Sequence, residues 1–285
     1  MTPQISIIII NYNTFEMTSQ CIESVYEKTK NVEFEIVLVD NASTECNADL
    51  FAERFPSVIL VKSKENIGFA KGNNLGIKTA KSDVILLLNS DTILVNNAVS
   101  ICYDRLVKDK NIGLITSKLI YPNGNIQHQC RRFETISLLL TEQLRLHKLW
   151  TKEKRAKILL NGYFNHQTEI ETDRIWGTFF MLKREILNAL PEKKLADTFF
   201  MYGEDNEWCY QIRRLTPFKI LYFPDAVVIH KMGGSNFGEQ KTSMIHYNKR
   251  IYMRKYYGTL KTKIYFFLHD NFIKKHVITN KMNTI

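Results

Sequence analysis

The run Ile5–Tyr12 (ISIIIINY) constrains this chain more than any other segment. It is dominated by β-branched residues without the polar alternation of a half-exposed strand. Such a run marks a strand buried on both faces, and strands of that kind belong to parallel sheets covered by helices. The next segments keep that rhythm. Phe15–Thr29 has helical spacing through Met17, Cys21, Ile22, Val25 and Tyr26, and Phe34–Val39 (FEIVLV) is a second strand. Asn47–Phe55 is a short helix ended by Pro56, followed by a strand at Val58–Val61. A helix at Gly72–Ala80, a strand at Val84–Leu88, a helix at Asn97–Val107 and a strand at Gly113–Lys118 complete the first half. Strand–helix alternation predicts an α/β fold with a doubly wound, mostly parallel sheet.

After the turn signal Tyr121–Asn125 (YPNGN) the regularity fades. Arg131–Ile170 is polar and partly helical, with Leu138–Leu140, Leu144 and Leu146 as its apolar stripe. It is expected to cover the open end of the sheet as an insertion. Strand character returns at Arg174–Leu182, helices are expected near Arg184–Ala189 and at Asn206–Arg214, and short strands at Phe218–Phe223 and Ala226–Ile229. The expected division is a main domain over 1–236, with halves 1–120 and 121–236, and a helical extension over 237–285.

The 285 residues are 45% hydrophobic and 24% charged, enough for a full core. The five cysteines are scattered and form no CxxC pair, so neither a disulfide framework nor a zinc site is expected, and a reducing cytoplasm fits. No signal peptide is evident, and no stretch reaches the ~18 apolar residues of a spanning helix. Net charge is +10, and Lys249–Lys281 holds nine Lys or Arg against one acid, Asp270. Tyr252, Tyr256, Tyr257, Tyr265, Phe266, Phe267 and Phe272 are interleaved with them. Basic residues mixed with aromatics suit the inner face of an anionic membrane, and equally a solvated helix packed on the domain. Nucleic acid is the weaker match, because the basic residues lie mostly outside the expected site.

Ligands of open parallel sheets sit beyond the carboxyl ends of the strands. Those ends carry Asn11, Tyr12 and Asn13, then Asp40, Asn41 and Ser43, then Asn66–Asn74, then Asn89, Ser90 and Asp91. This polar, acidic set suits a base and a ribose. A GxGxxG fingerprint is absent after the first strand, and so is a P-loop. A pyrophosphate must then be held otherwise, and a divalent cation, Mn2+ or Mg2+, on Asp91 is the natural candidate. Taken alone, Asp91 reads as well as a turn former. Glu65–Gly76 (ENIGFAKGNNLG) opens a helix, where backbone amides and Lys71 suit an anion. Gly203-Glu204-Asp205 puts adjacent acids at a helix start, where one is explained by the helix dipole and the other suits a general base. His230 ends a strand before Met232-Gly233-Gly234-Ser235, and imidazole there suits Mn2+.

Seven segments in order resemble family-2 glycosyltransferases of the GT-A fold, in particular the bacterial rhamnosyltransferase-like group. They are Ser6–Asn13, Val39–Ser43, Asn66–Asn74, Leu87–Thr92, Trp176–Met181, Phe200–Asp205 and His230, spanning roughly Ile5 to Ser235. The resemblance implies that Asp40 recognises the base and that Asn66 through Asn73 line the nucleotide and sugar. It implies Asp91 as the aspartate of a DxD-type metal motif, with His230 a further ligand. Asp205 becomes the catalytic base, with Glu204 orienting acceptor or base, and Trp176, Gly177 and Thr178 border the acceptor. One departure stands out: the metal motif here is Asn89-Ser90-Asp91, without its first aspartate.

The expected activity is inverting transfer of a sugar, with rhamnose implied by the resemblance, from a nucleotide-diphosphate donor to a glycan or lipid-linked glycan in cell-surface polysaccharide synthesis. A non-catalytic nucleotide-sugar or glycan-binding protein on the same fold is the alternative. A nucleotidyltransferase is the nearest enzymatic rival, but no glycine-rich, basic loop directly follows the first strand.

Overall fold

The computed structural model describes residues 2–232 and 240–282, with residues 271–282 as backbone only. The chain opens with β1 (Ile5–Asn11), α1 (Phe15–Lys28), β2 (Phe34–Asp40), α2 (Asp49–Arg54) and β3 (Ile59–Lys62). Next come α3 (Gly68–Thr79), β4 (Val84–Asn89), β5 (Thr92–Leu94), α4 (Ala98–Lys108) and β6 (Ile112–Ile120). The insertion contributes α5 (Ile136–Gln143), α6 (Lys152–Leu159) and β7 (Ile170–Thr172). The remainder is β8 (Phe179–Lys183), α7 (Glu185–Ala189), α8 (Glu204–Leu215), β9 (Lys219–His230), α9 (Gln240–Tyr257) and α10 (Thr259–Met282).

These strands form one sheet in the order β3-β2-β1-β4-β8-β6-β9-β5, with β7 also on β9. The first four run parallel, as do β6 and β9. The reversed strands are β8, between β4 and β6, and the three-residue β5 and β7 on β9. Side chains of β1 alternate between the two faces, as a pleat requires. Ile5, Ile7 and Ile9 meet Cys21, Ile22 and Val25 of α1, Phe51 of α2 and Cys102 of α4. Ile8 meets the other layer, with Ile77 of α3, Ile186 of α7 and Trp208 of α8. Each such buried isoleucine contributes about 1.5–3 kcal/mol relative to an exposed one. Double-sided burial explains the uninterrupted run in the sequence.

Register aligns the carboxyl ends: Asn11 lies beside Asp40, and Ile10 beside Asn89. Several expectations change. The two short strands expected at Phe218–Phe223 and Ala226–Ile229 are one strand, β9, carried through Pro224 by a register shift against β6. Proline has no N–H for the ladder, so a bulge is where it fits. The strand expected from Arg174 begins only at Phe179. In the insertion Leu139 is buried, but Leu144 and Leu146 are exposed rather than part of an apolar stripe.

The C-terminal region is helical, as expected, and it packs on the rest of the chain. Tyr252, Met253, Tyr265 and Phe266 are buried together with Leu139 of α5, Phe199 and Tyr210 of α8. Residues on both sides of 236 thus share one core cluster. Most of the aromatic residues that suggested a lipid-facing surface face protein instead. No helix among the described residues is long and apolar enough to cross a membrane.

Candidate active site

At the end of β1, Asn11 is 1% exposed and all its side-chain polar atoms are engaged. Its Nδ2 donates to Asp40 Oδ1 (2.8 Å) and Ser43 Oγ (2.9 Å), and its Oδ1 accepts from Thr14 Oγ1 (3.1 Å) and Thr18 Oγ1 (2.8 Å). Asp40 Oδ2 accepts from Ser43 N–H at 3.1 Å. Asn11 is therefore a brace that fixes Asp40 and the following turn, not a group turned outward. Asn13 has a left-handed φ of 52°, and its Oδ1 accepts the N–H groups of Thr44 (2.7 Å) and Glu45 (3.2 Å). It clamps the loop after β2. Tyr12 is 42% exposed, and Asn13 is exposed as well although its side-chain oxygen is engaged.

The loop before α3 is locked in the same manner. Asn41 Nδ2 donates to Asn66 Oδ1 (2.8 Å), Ile67 N–H to Asn41 Oδ1 (3.0 Å) and Gly68 N–H to Asn66 Oδ1 (3.0 Å). Phe69 N–H donates to the Phe200 carbonyl at 2.9 Å. These amides, expected to approach an anion, already have protein acceptors. Asn73, expected to line the donor, is 1% exposed and donates to the Phe69 carbonyl in its own helix. Lys71 is exposed. Gly68 has φ +80°, and a Cβ there would stand 2.4 Å from the Phe200 carbonyl oxygen. Only glycine permits this contact between the α3 loop and the segment before α8.

At the end of β4, Asn89 Oδ1 is buried with no hydrogen-bond partner, and the neighbouring Ser90 is half-buried. Asp91 and His230 meet because β5 pairs with β9, placing Thr92 opposite His230. His230 Nε2 lies 3.3 Å from Asp91 Oδ1, and both residues are buried. Gln127 Nε2 donates to the His230 carbonyl (2.8 Å), so its Oε1 is the atom facing His230 Nδ1 (2.8 Å). Nδ1 must carry the hydrogen of that contact. In the neutral ring, Nε2 then presents its lone pair to a carboxylate, which leaves room for a proton or a cation between two acceptors. No third His, Cys, Asp or Glu joins them among the described residues.

The second acidic cluster starts α8. Tyr202 (φ 66°) and Gly203 (φ 107°) turn the chain into the helix. Asp205 accepts from the N–H of Asn206 (2.8 Å) and from that of Gly177. Burial raises the Asp205 carboxyl above its ordinary value, opposed by the Arg174 charge and these amides. Burial, then the Asp205 charge, pushes Glu204 up to about 8. Glu204 Oε2 is buried without a partner. At neutral pH Glu204 therefore holds a proton, while Asp205 beside it is the one of the two whose ionised form Arg174 and the amides favour.

Residues 176–178 join the two clusters. Gly177 N–H reaches Asp205, while the adjacent Thr178 carbonyl accepts from Asn89 N–H at 3.0 Å. The Trp176 ring meets His230 edge-on, centroids 6.3 Å apart. One short segment thus touches the metal-type pair and the base-type carboxylate.

The sequence model described as Glycosyl transferase family 2 matches residues 6–190, well over half of the chain. The chain belongs to glycosyl transferase family 2. Among similar family proteins, the low-salt glycan biosynthesis hexosyltransferase Agl10 of Haloferax volcanii is 27% identical over 225 residues, 75% of this chain and 63% of its own length. Glycosyltransferase GlyG of Streptococcus pneumoniae is 29% identical over 119 residues, 40% of this chain and 38% of its own. A chondroitin synthase of Pasteurella multocida is 27% identical over 128 residues, 44% of this chain and only 13% of its own. In each case the chain spans less than two thirds of the relative's length. The mannosyltransferase PcManGT of Pyrobaculum calidifontis, solved with GDP-Man and Mn2+, matches with a TM-score of 0.56 at 17% identity, over 88% of this chain and 61% of that one. S. aureus TarS matches with the same TM-score at 14% identity, over 88% and 64%. The fold of this family-2 chain is that of GT-A glycosyltransferases.

Sequence reasoning missed Gln127 and Arg174. Arg174 Nη1 donates to Asn206 Oδ1 at 2.6 Å and its Nη2 pairs with Glu134 at 3.0 Å. Gln127 follows a turn and Arg174 precedes a strand, so neither carried a local signal. The Gly233-Gly234-Ser235 segment after His230 lies outside the described residues.

Proposed function

We propose that this chain is an inverting glycosyltransferase that moves a hexose or deoxyhexose, rhamnose by resemblance, from a nucleoside-diphosphate donor to a hydroxyl of a cell-surface glycan. The observation that carries it is the link through Gly177 and Thr178, which sets the Asp205 carboxyl beside the end of β4 and its Asp91–His230 pair. The printed names of the relatives support glycan synthesis, and the GDP-Man and Mn2+ of PcManGT support the donor class and cation.

The donor sits across the carboxyl ends of β1, β2 and β4, with Tyr12, Asp40, Asn66, Lys71 and Ser90 along its nucleotide. Asp91 Oδ1 and His230 Nε2 suit a divalent cation, Mn2+ or Mg2+, whose other positions fall to water and phosphate oxygens, and the orphan Asn89 Oδ1 suits a hard cation or a ribose hydroxyl. When bound, that cation supplies Lewis-acid stabilisation to the departing diphosphate.

Asp205 takes the proton of the acceptor hydroxyl as the acceptor oxygen bonds to the anomeric carbon. The bond from that carbon to the diphosphate oxygen breaks on the opposite face, releasing nucleoside diphosphate. Arg174 and the Gly177 and Asn206 amides favour the ionised form of Asp205 against the burial that opposes it. Protonated Glu204 donates to the acceptor or to Asp205, and Trp176 and Thr178 border the acceptor. The site works in the cytoplasm, at the inner membrane face when the basic C-terminal helices contact anionic lipid. A screen of sugar nucleotides with and without Mn2+, followed by NMR of the anomeric centre formed, tests this. Retention of configuration, or no sugar release from any donor, would overturn it.

A further inference from the structure

We propose that α9, which lies beyond the family-matched residues, positions the catalytic carboxylates, with Asn248 as the positioning residue. The inference rests on the glycosyltransferase reading of Glu204 and Asp205. Asn248 is mid-helix and 8% exposed. Its Nδ2 donates to two successive carbonyls, Met201 at 2.9 Å and Tyr202 at 2.6 Å. These immediately precede Gly203, Glu204 and Asp205. The backbone there is strained, with Tyr202 at φ 66° and Gly203 at φ 107°. A bulky residue holds a left-handed conformation only when its surroundings over-determine it.

Gly203 serves the same contact. A Cβ at that position would stand 3.4 Å from the Asn248 Cβ, so the absence of a side chain admits α9 this closely. One turn into α8, the fully buried Glu207 Oε1 accepts from Lys255 Nζ (2.7 Å) and the Tyr256 hydroxyl (2.7 Å), both on α9. A third tie runs from Lys249 to Glu134 (3.2 Å), the acid that also pairs with Arg174. α9 therefore grips the acidic segment before, within and beside its helix. A mid-helix asparagine aimed at foreign carbonyls does nothing for its own helix, where it is a poor former. Its task is outside the helix.

The test compares the full chain with Asn248→Ala by amide hydrogen exchange and by steady-state kinetics. Losing two buried hydrogen bonds should speed exchange of the 199–207 segment by about 10- to 100-fold, with the β1–β4 strands unchanged. The kcat should fall by about 10²-fold, because displaced acids misplace the base. Donor KM should stay within about twofold, since among the described residues the Asn248 side chain bonds only Met201 and Tyr202 and no nucleotide-side residue. The acidic limb of the kcat profile should also move, because the two carboxyls lose burial. Should Asn248→Ala not fold, Asn248→Ser retains one donor and is measured against the same criteria. Unchanged exchange at 199–207, or a kcat loss matched by an equal loss of nucleotide affinity, overturns the proposal. A wild-type chain that transfers no sugar refutes the glycosyltransferase reading alone, and the exchange measurement still decides the clamp.

Discussion

The Gln127 side-chain amide binds His230 twice, donating to its backbone carbonyl and accepting from its Nδ1, each at 2.8 Å. That pairing fixes which ring nitrogen faces Asp91. Partners of this kind typically affect metal affinity by about 10–100-fold. Gln127→Leu should therefore weaken Mn2+ binding by that factor, read by calorimetry in the presence of nucleoside diphosphate. His230→Ala should weaken it further. Equal Mn2+ affinity in all three proteins would remove the cation from this corner of the site.

Asp205→Asn keeps the shape of the side chain and removes its basicity. Turnover should drop by about 10²–10⁴-fold, as expected for loss of a positioned base. Nucleoside-diphosphate affinity should hold, because in the proposed arrangement Asp205 serves the acceptor hydroxyl and not the nucleotide. Near-normal turnover would reassign the base.

Glu204 titrates at about 8 in the folded chain against an ordinary 4.5. Between those values the folded state binds more protons than the unfolded one, so its contribution to stability is present at the acid end and is lost as pH rises. The melting temperature of wild type relative to Glu204→Gln should fall steadily from about pH 5 to about pH 8. A difference that is constant with pH would mean that Glu204 is not buried as a neutral acid.

Much of the first half of the chain was legible because its strands are long enough for a pattern. Ile5–Asn11 is buried on both faces, and that leaves an uninterrupted apolar run. β5 and β7 are too short to show any period, yet β5 is what brings Asp91 to His230. Site residues were harder to sort. Asn11 and Tyr12 sit at the same strand end with similar polarity, but the pleat turns Asn11 inward and Tyr12 outward. Asn248 was illegible for a different reason. It stands in a basic run that reads as a solvated helix, and its partners are carbonyls some 46 residues away.

Gly68→Ala probes the contact between the α3 loop and the Phe200 segment. The substitution faces a carbonyl oxygen at 2.4 Å and a φ of +80°. A destabilisation of about 1–3 kcal/mol or more is expected from denaturant midpoints. Stability equal to wild type would show that the two loops move apart without cost.

Lipid contact by the C-terminal helices is better tested by charge than by truncation, because their aromatic residues belong to a shared core. Lys261 and Lys263 are exposed on α10. Lys261→Glu with Lys263→Glu should reduce binding to vesicles containing anionic lipid, at about 1 kcal/mol per lysine removed from the surface. Equal flotation of both proteins would argue against an electrostatic membrane contact.

That shared core also bears on how such enzymes are recombined. A chimaera cut at residue 190, where the family match ends, would take Asp91 from one parent and Asp205, His230 and the α9 clamp from the other. A cut near 236 would bring both acids from one parent and leave them leaning on a foreign helix. Only a segment running from β1 through α9 would carry both acids, the Asp91–His230 pair and the Asn248 contact together.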